Sequence, residues 1–179
     1  MNFKQLKNIF SLSLTILFFS VFLFLTLDFI VSSSFKQFLL DKYGEGGILR
    51  TTIYHYDHDL RKNVDVNVVW GPRTVHRFCT NQYGFKDRCD NVGADLSKHF
   101  NIGFIGDSNT EGVGLIHEDT FVGRFSAANP DLKIANLAVV SYSPSIYYMK
   151  IKWLLENGFY FDKIVILPDV SDLADDAMV

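Results

Sequence analysis

A hydroxyl becomes a nucleophile only where a base can take its proton and donors await the charge that develops. Ser108 is the serine of this 179-residue chain best placed for that role. It lies in Gly106-Asp107-Ser108-Asn109-Thr110, directly after the apolar run Asn101-Ile102-Gly103-Phe104-Ile105. The run reads as a buried strand, and Gly106 permits a tight turn at its end. The hydroxyl would then stand at a strand-to-helix junction, where unpaired N–H groups can hold an oxyanion. On residue types alone, a turn followed by a plain helix cap fits the same five residues.

A base is harder to find. The chain has five histidines, His55, His58, His76, His99 and His117. His117, in Leu115-Ile116-His117-Glu118-Asp119, reads as an exposed loop residue. His99 precedes the nucleophile's strand and is expected at the far end of the sheet from Ser108. His55 and His58 alternate with Asp57 and Asp59, and imidazole with carboxylate suits zinc or manganese. In a strand, however, His55 and His58 face opposite ways, so a solvated polar loop is the expectation there. No Gly-x-x-x-x-Gly-Lys-Ser/Thr and no strand-linked Gly-x-Gly-x-x-Gly is present, so no cofactor is expected, and no metal.

The elements around Ser108 have an α/β texture. Phe121, Val122 and Phe125 give an amphipathic helix closed by Asn129-Pro130. Residues 132–139 read as a second strand. Ser143-Pro144 reads as a helix start, with serine as cap and proline at the first helical position. Ile146, Tyr147, Ile151, Leu154 and Leu155 form its apolar stripe, which Gly158 ends. Residues 163–167 read as a third strand. Strand–helix–strand–helix–strand predicts a parallel sheet with ligands at the carboxyl ends of its strands. Upstream, Val64 to Trp70 alternates as a strand, with a Gly71-Pro72 turn and a hairpin partner within 73–79. Asn81 to Gly84 is a further turn signal.

Four blocks in this order resemble the SGNH (GDSL-type) hydrolases, and in particular their membrane-anchored, exported members. They are Thr80 to Asp87 (TNQYGFKD), Gly106 to Gly114 (GDSNTEGVG), Asn136 to Pro144 (NLAVVSYSP) and Asp169 to Asp172 (DVSD). The resemblance implies a flavodoxin-like three-layer α/β/α fold and ester chemistry, either hydrolysis or acyl transfer. It makes Ser108 the nucleophile and a backbone donor to the oxyanion, with Asp107 the acidic residue that shapes the turn. The family's oxyanion glycine falls at Ala138, and alanine disfavours a positive φ. The family's oxyanion asparagine falls at Ser171, whose hydroxyl donates with a shorter reach. The family's histidine stands in a late Asp-x-x-His block, which this sequence lacks. The chain therefore reads as the amino-terminal part of a longer hydrolase.

Composition sets the surroundings. Hydrophobic residues make up 48% of the chain, and nine of the 17 phenylalanines fall in the first 40 residues. Asn8 to Leu27 carries no formal charge, and twenty helical residues span about 30 Å, the thickness of a hydrocarbon core. Lys4 and Lys7 precede the run and Asp28 follows it. The expectation is a single-pass anchor in the cytoplasmic membrane, with the amino terminus inside and the rest exported. A cleaved signal peptide, with Val31-Ser32-Ser33 as its site, is the other reading. Export would permit a disulfide between Cys79 and Cys89, with two free thiols as the alternative. The last 139 residues hold 14 Lys and Arg against 19 Asp and Glu. That acidic balance argues against a nucleic-acid partner.

The expected organisation is an anchor over 1–33, with the span at about 8–30. A stalk and β-rich lead-in follow over 34–97, and the incomplete α/β domain covers 98–179. The expected function is ester hydrolysis or O-acyl transfer outside the membrane, on an acylated substrate such as a polysaccharide. The alternative is an anchored, non-catalytic binding or envelope-assembly protein that keeps the fold.

Overall fold

A computed structural model describes residues 3–43, 49–70, 74–170 and 172. The chain divides into two compact units, residues 1–42 and 43–179. The first is helix α1 (Phe3–Tyr43). Its Leu12–Phe35 stretch of 24 residues has a mean hydropathy of 2.5 and is exposed along its length. By length and composition this segment is compatible with a transmembrane or signal helix. The Gly71-Pro72 turn falls outside the described residues.

The second unit mixes antiparallel and parallel sheet. Strands β1 (Arg50–Ile53) and β2 (Asp57–Leu60) form one hairpin, and β3 (Asp65–Trp70) and β4 (Thr74–Cys79) form another. In β3 the alternation seen in the sequence takes effect: Val66 and Val68 turn inward while Asp65 and Asn67 stay exposed. The exposed Asp65 receives both Arg77 Nε (2.8 Å) and Nη2 (2.7 Å) across the strands. A disulfide joins Cys79 to Cys89, with Cα atoms 5.1 Å apart. It ties the end of β4 to the loop that follows the Asn81–Gly84 turn.

Strands β5 (His99–Gly106), β6 (Ile134–Asn136) and β7 (Tyr160–Leu167) form a parallel sheet in the order β6-β5-β7. Between them run α2 (Ser108–Glu111), α3 (Phe121–Ala128) and α4 (Pro144–Glu156). The chain is thus of the α/β class, with β5 central. Thr120 caps α3 by accepting from Gly123 N–H, and Phe121 and Phe125 pack edge-on against Phe104. Ser143 stands at the N-cap and Pro144 starts α4 as the sequence predicts, but the Ser143 side chain makes no capping hydrogen bond. The Ser143 hydroxyl is buried without a hydrogen-bond partner among the described residues. The apolar core runs through both parts of the unit: Tyr56 and Leu60 of the first hairpin join Ile105, Leu137, Ile146 and Leu154.

The Tyr54–Asp59 stretch meets the expectation of a solvated loop only in part: Tyr54, His55 and Asp57 are exposed, and 54–56 is a turn. Asp57–Leu60 is a strand, and Tyr56 and Asp59 are buried. Asp59 escapes the cost of burial by pairing. Its Oδ1 accepts from Lys150 Nζ (2.9 Å) and Leu60 N–H (2.8 Å), and its Oδ2 accepts from Tyr56 O–H (2.7 Å).

Candidate active site

Strand β5 carries Ser108 to the carboxyl end of the sheet. Gly106 is required there by close approach. A Cβ would run into the Thr110 side chain and come within 2.9 Å of the Leu167 carbonyl oxygen. Asp107 then holds the turn. Its Oδ1 accepts from Asn109 N–H (2.9 Å), and its Oδ2 accepts from the Ser108 hydroxyl (3.2 Å). Helix α2 lasts a single turn and closes at Gly112, whose N–H donates to the Ser108 carbonyl with φ at +72°. Ser108 is half-buried, and Asp107 is its one hydrogen-bond acceptor among the described residues.

The loop after β7 closes on this turn. Asn109 Nδ2 donates to Asp169 Oδ2 (2.8 Å), Asp169 N–H donates to Asp172 Oδ2 (2.7 Å), and Tyr147 O–H reaches the same oxygen (2.8 Å). One carboxylate oxygen from each of Asp107, Asp169 and Asp172 lies within 4.8 Å of the others. Burial, then the bond to Asp172, then the three carboxylate charges hold the Tyr147 phenol well above its ordinary range. Three carboxylates are the hard oxygen donors a divalent cation takes, though calcium asks for six to eight ligands. Asp65 also lies near Cys79 and Cys89, but those sulfurs are committed to the disulfide.

The other residues picked out by sequence are placed as follows. Ala138 is fully buried just after β6, and its N–H donates to Asn136 Oδ1 (3.2 Å). It does not take a positive φ, whereas Ser141 does, at +62°. Ser171 lies outside the described residues. His99 stands at the start of β5, bonded to Asp162 (3.0 Å), at the opposite end of the strand from Ser108. His55 stacks on Trp153, and His58 bonds Asp57 and the Val140 carbonyl. His117 corrects the expectation of an exposed loop residue. It opens a 3₁₀ turn (His117–Asp119) and is 8% exposed, and burial holds its imidazole below the usual range. No histidine hydrogen-bonds the Ser108 hydroxyl among the described residues.

Sequence reasoning passed over Glu111. It is buried at the end of α2, and its Oε2 accepts from Val140 N–H (2.7 Å) and from Arg50 Nη2 (3.4 Å). It therefore links the helix that Ser108 opens to the loop after β6. The signal available was its place in the Gly106–Gly114 block, three residues after Ser108.

No family model, no curated protein and no solved structure matches this chain. The reading of the site therefore rests on its own geometry.

Proposed function

We propose that the exported unit is an SGNH-type ester hydrolase or O-acyltransferase domain, anchored by α1, in which Ser108 is the nucleophile. The observation that carries the reading is the placement of Ser108. It follows the central parallel strand, at the start of a helical turn, with Asp107 ordering that turn. Attack by Oγ on an ester carbonyl would form a tetrahedral oxyanion. The Ser108 N–H, the Ala138 N–H and the Ser171 hydroxyl are the proposed donors. Collapse would expel the alcohol and leave an acyl-serine, which water or a second hydroxyl would resolve. The substrate would be an O-acylated molecule, such as a polysaccharide, outside the cytoplasmic membrane.

Two observations favour the second reading, a non-catalytic binding or assembly protein of the same fold. The Ala138 N–H is already engaged by Asn136, so an oxyanion would have to compete for it. The Asp107 carboxylate is the hydroxyl's partner where a nucleophilic serine needs a base near neutral pH. An added base separates the readings. The full chain in detergent should turn over p-nitrophenyl acetate no faster than Ser108→Ala. Imidazole in the buffer should then speed acylation of Ser108, read as a mass shift on its peptide. An equal imidazole effect on turnover in Ser108→Ala, with no acylated peptide, rejects the ester reading and leaves the binding protein.

A further inference from the structure

The hairpin β1–β2 brings a second Asp–His pair toward the site, away from the nucleophile's own turn. Asp57 Oδ2 lies 2.5 Å from His58 Nδ1, and His58 Nε2 lies 2.8 Å from the Val140 carbonyl oxygen. A peptide carbonyl only accepts, so Nε2 carries a proton. The ring is thus fully committed, with Asp57 fixing its orientation as carboxylates fix imidazoles elsewhere. Asp57 holds a φ of +85°, a left-handed conformation that a non-glycine residue rarely adopts. Strain of that kind persists where surrounding contacts demand it.

The target of the clamp is the loop after β6. The Val140 carbonyl is held by His58 and its N–H by Glu111, so one residue is gripped from both sides. Two residues on, Tyr142 packs its ring edge-on to the His58 imidazole and donates its O–H to the His58 carbonyl (2.7 Å). Between these two grips sits Ser141, also left-handed at +62°. Side chain and backbone of one histidine therefore span a strained residue in the loop that continues from Ala138.

We infer that His58, oriented by Asp57, is a positioning residue that fixes the Val140 carbonyl and so the backbone of residues 138–141 beside the helix of Ser108. Its chemical consequence rests on the ester reading above; its structural consequence does not. The experiment uses the full chain in detergent micelles and two variants. His58→Gln keeps a nitrogen that can donate to the Val140 carbonyl, whereas His58→Phe keeps the ring and loses the donor. Amide exchange of the peptide spanning 138–142 should quicken about 10-fold in His58→Phe and stay within about 3-fold in His58→Gln, the effect of one hydrogen bond. Imidazole-dependent acylation of Ser108 should follow the same order. If Gln and Phe behave alike in exchange, the ring only fills space and the inference fails. If the wild-type chain shows no Ser108 acylation, the ester reading fails and exchange alone decides the clamp.

Discussion

Lys150 has no exposed surface in this fold, and each of its three ammonium protons has a partner. Nζ donates to Asp59 Oδ1, to the Leu137 carbonyl (2.8 Å) and to the Tyr142 hydroxyl (3.2 Å). Burial pulls its affinity for the proton down while Asp59 pulls it back up. Removing one member of such a pair leaves the other buried and unpaired, which typically costs about 3–5 kcal/mol. Lys150→Met should therefore lower the unfolding free energy of the domain by about that much in urea titrations. Lys150→Met with Asp59→Asn should recover part of the loss, because the carboxylate no longer needs a counter-charge. A double variant as unstable as the sum of the two singles would show that the pair is not coupled. This pair was invisible in the sequence for a physical reason. Asp59 and Lys150 are 91 residues apart, and nothing local pairs an aspartate in a polar stretch with a lysine in an apolar helix. The helical stripe of α4 is Ile146, Tyr147, Lys150 and Leu154. Apolarity alone left Lys150 out and put Leu155 in; Ile151 does pack against the core, but Leu155 is 50% exposed.

At the scale of elements, the loop between α2 and α3 is held by a second buried lysine. Lys86 Nζ donates to the Gly112 and Leu115 carbonyls, both at 2.8 Å, and lies 5.0 Å from the Phe78 ring centre. Burial brings its ammonium down to about 8. His76 and His117 are likewise held below their usual value by burial, with the Lys86 charge adding to both. Nδ1 of each histidine is buried without a partner among the described residues. The unfolded chain takes up protons at these histidines near its ordinary value of 6.5, while the folded chain resists. Their contribution is therefore complete above that pH and is lost as pH falls through the depressed folded values. For Lys86 the folded chain sheds its proton near 8 and the unfolded chain near 10.5, so that group favours folding progressively across this interval. The urea midpoint should climb from pH 5 to 7, and the climb should flatten in His76→Asn with His117→Asn. An unchanged slope would assign the acid limb to carboxylates. From β3 onward the order of strands and longer helices was legible because turn signals and apolar periods are local, whereas the polar β1–β2 hairpin was not. The role of His117 was not, because a polar residue's burial depends on what packs over it from Lys86 and α3.

For the whole molecule, two independent features bear on which side of a membrane the second unit occupies. The first is α1, whose 24-residue apolar stretch extends about 36 Å as a helix, enough to span a hydrocarbon core with some tilt. Lys4 and Lys7 lie before it, and positive charge is retained on the cytoplasmic side. The second is the Cys79–Cys89 disulfide, a bond that persists in exported proteins and is rare where thiols are kept reduced. Charge bias and redox chemistry have no physical cause in common, and both support the proposal that the unit containing Ser108 lies outside. Alkaline phosphatase fused after residue 40 should therefore be active in cells, because that reporter needs disulfides of its own. In intact cells Cys79 and Cys89 should resist a maleimide reagent until a reductant is added. The chain should stay with membranes through carbonate extraction and keep residues 1–33 by mass. Soluble protein beginning near Ser33 would instead mark α1 as a cleaved signal. An inactive fusion with freely reactive thiols would place the unit in the cytoplasm, and with it the substrate proposed for Ser108.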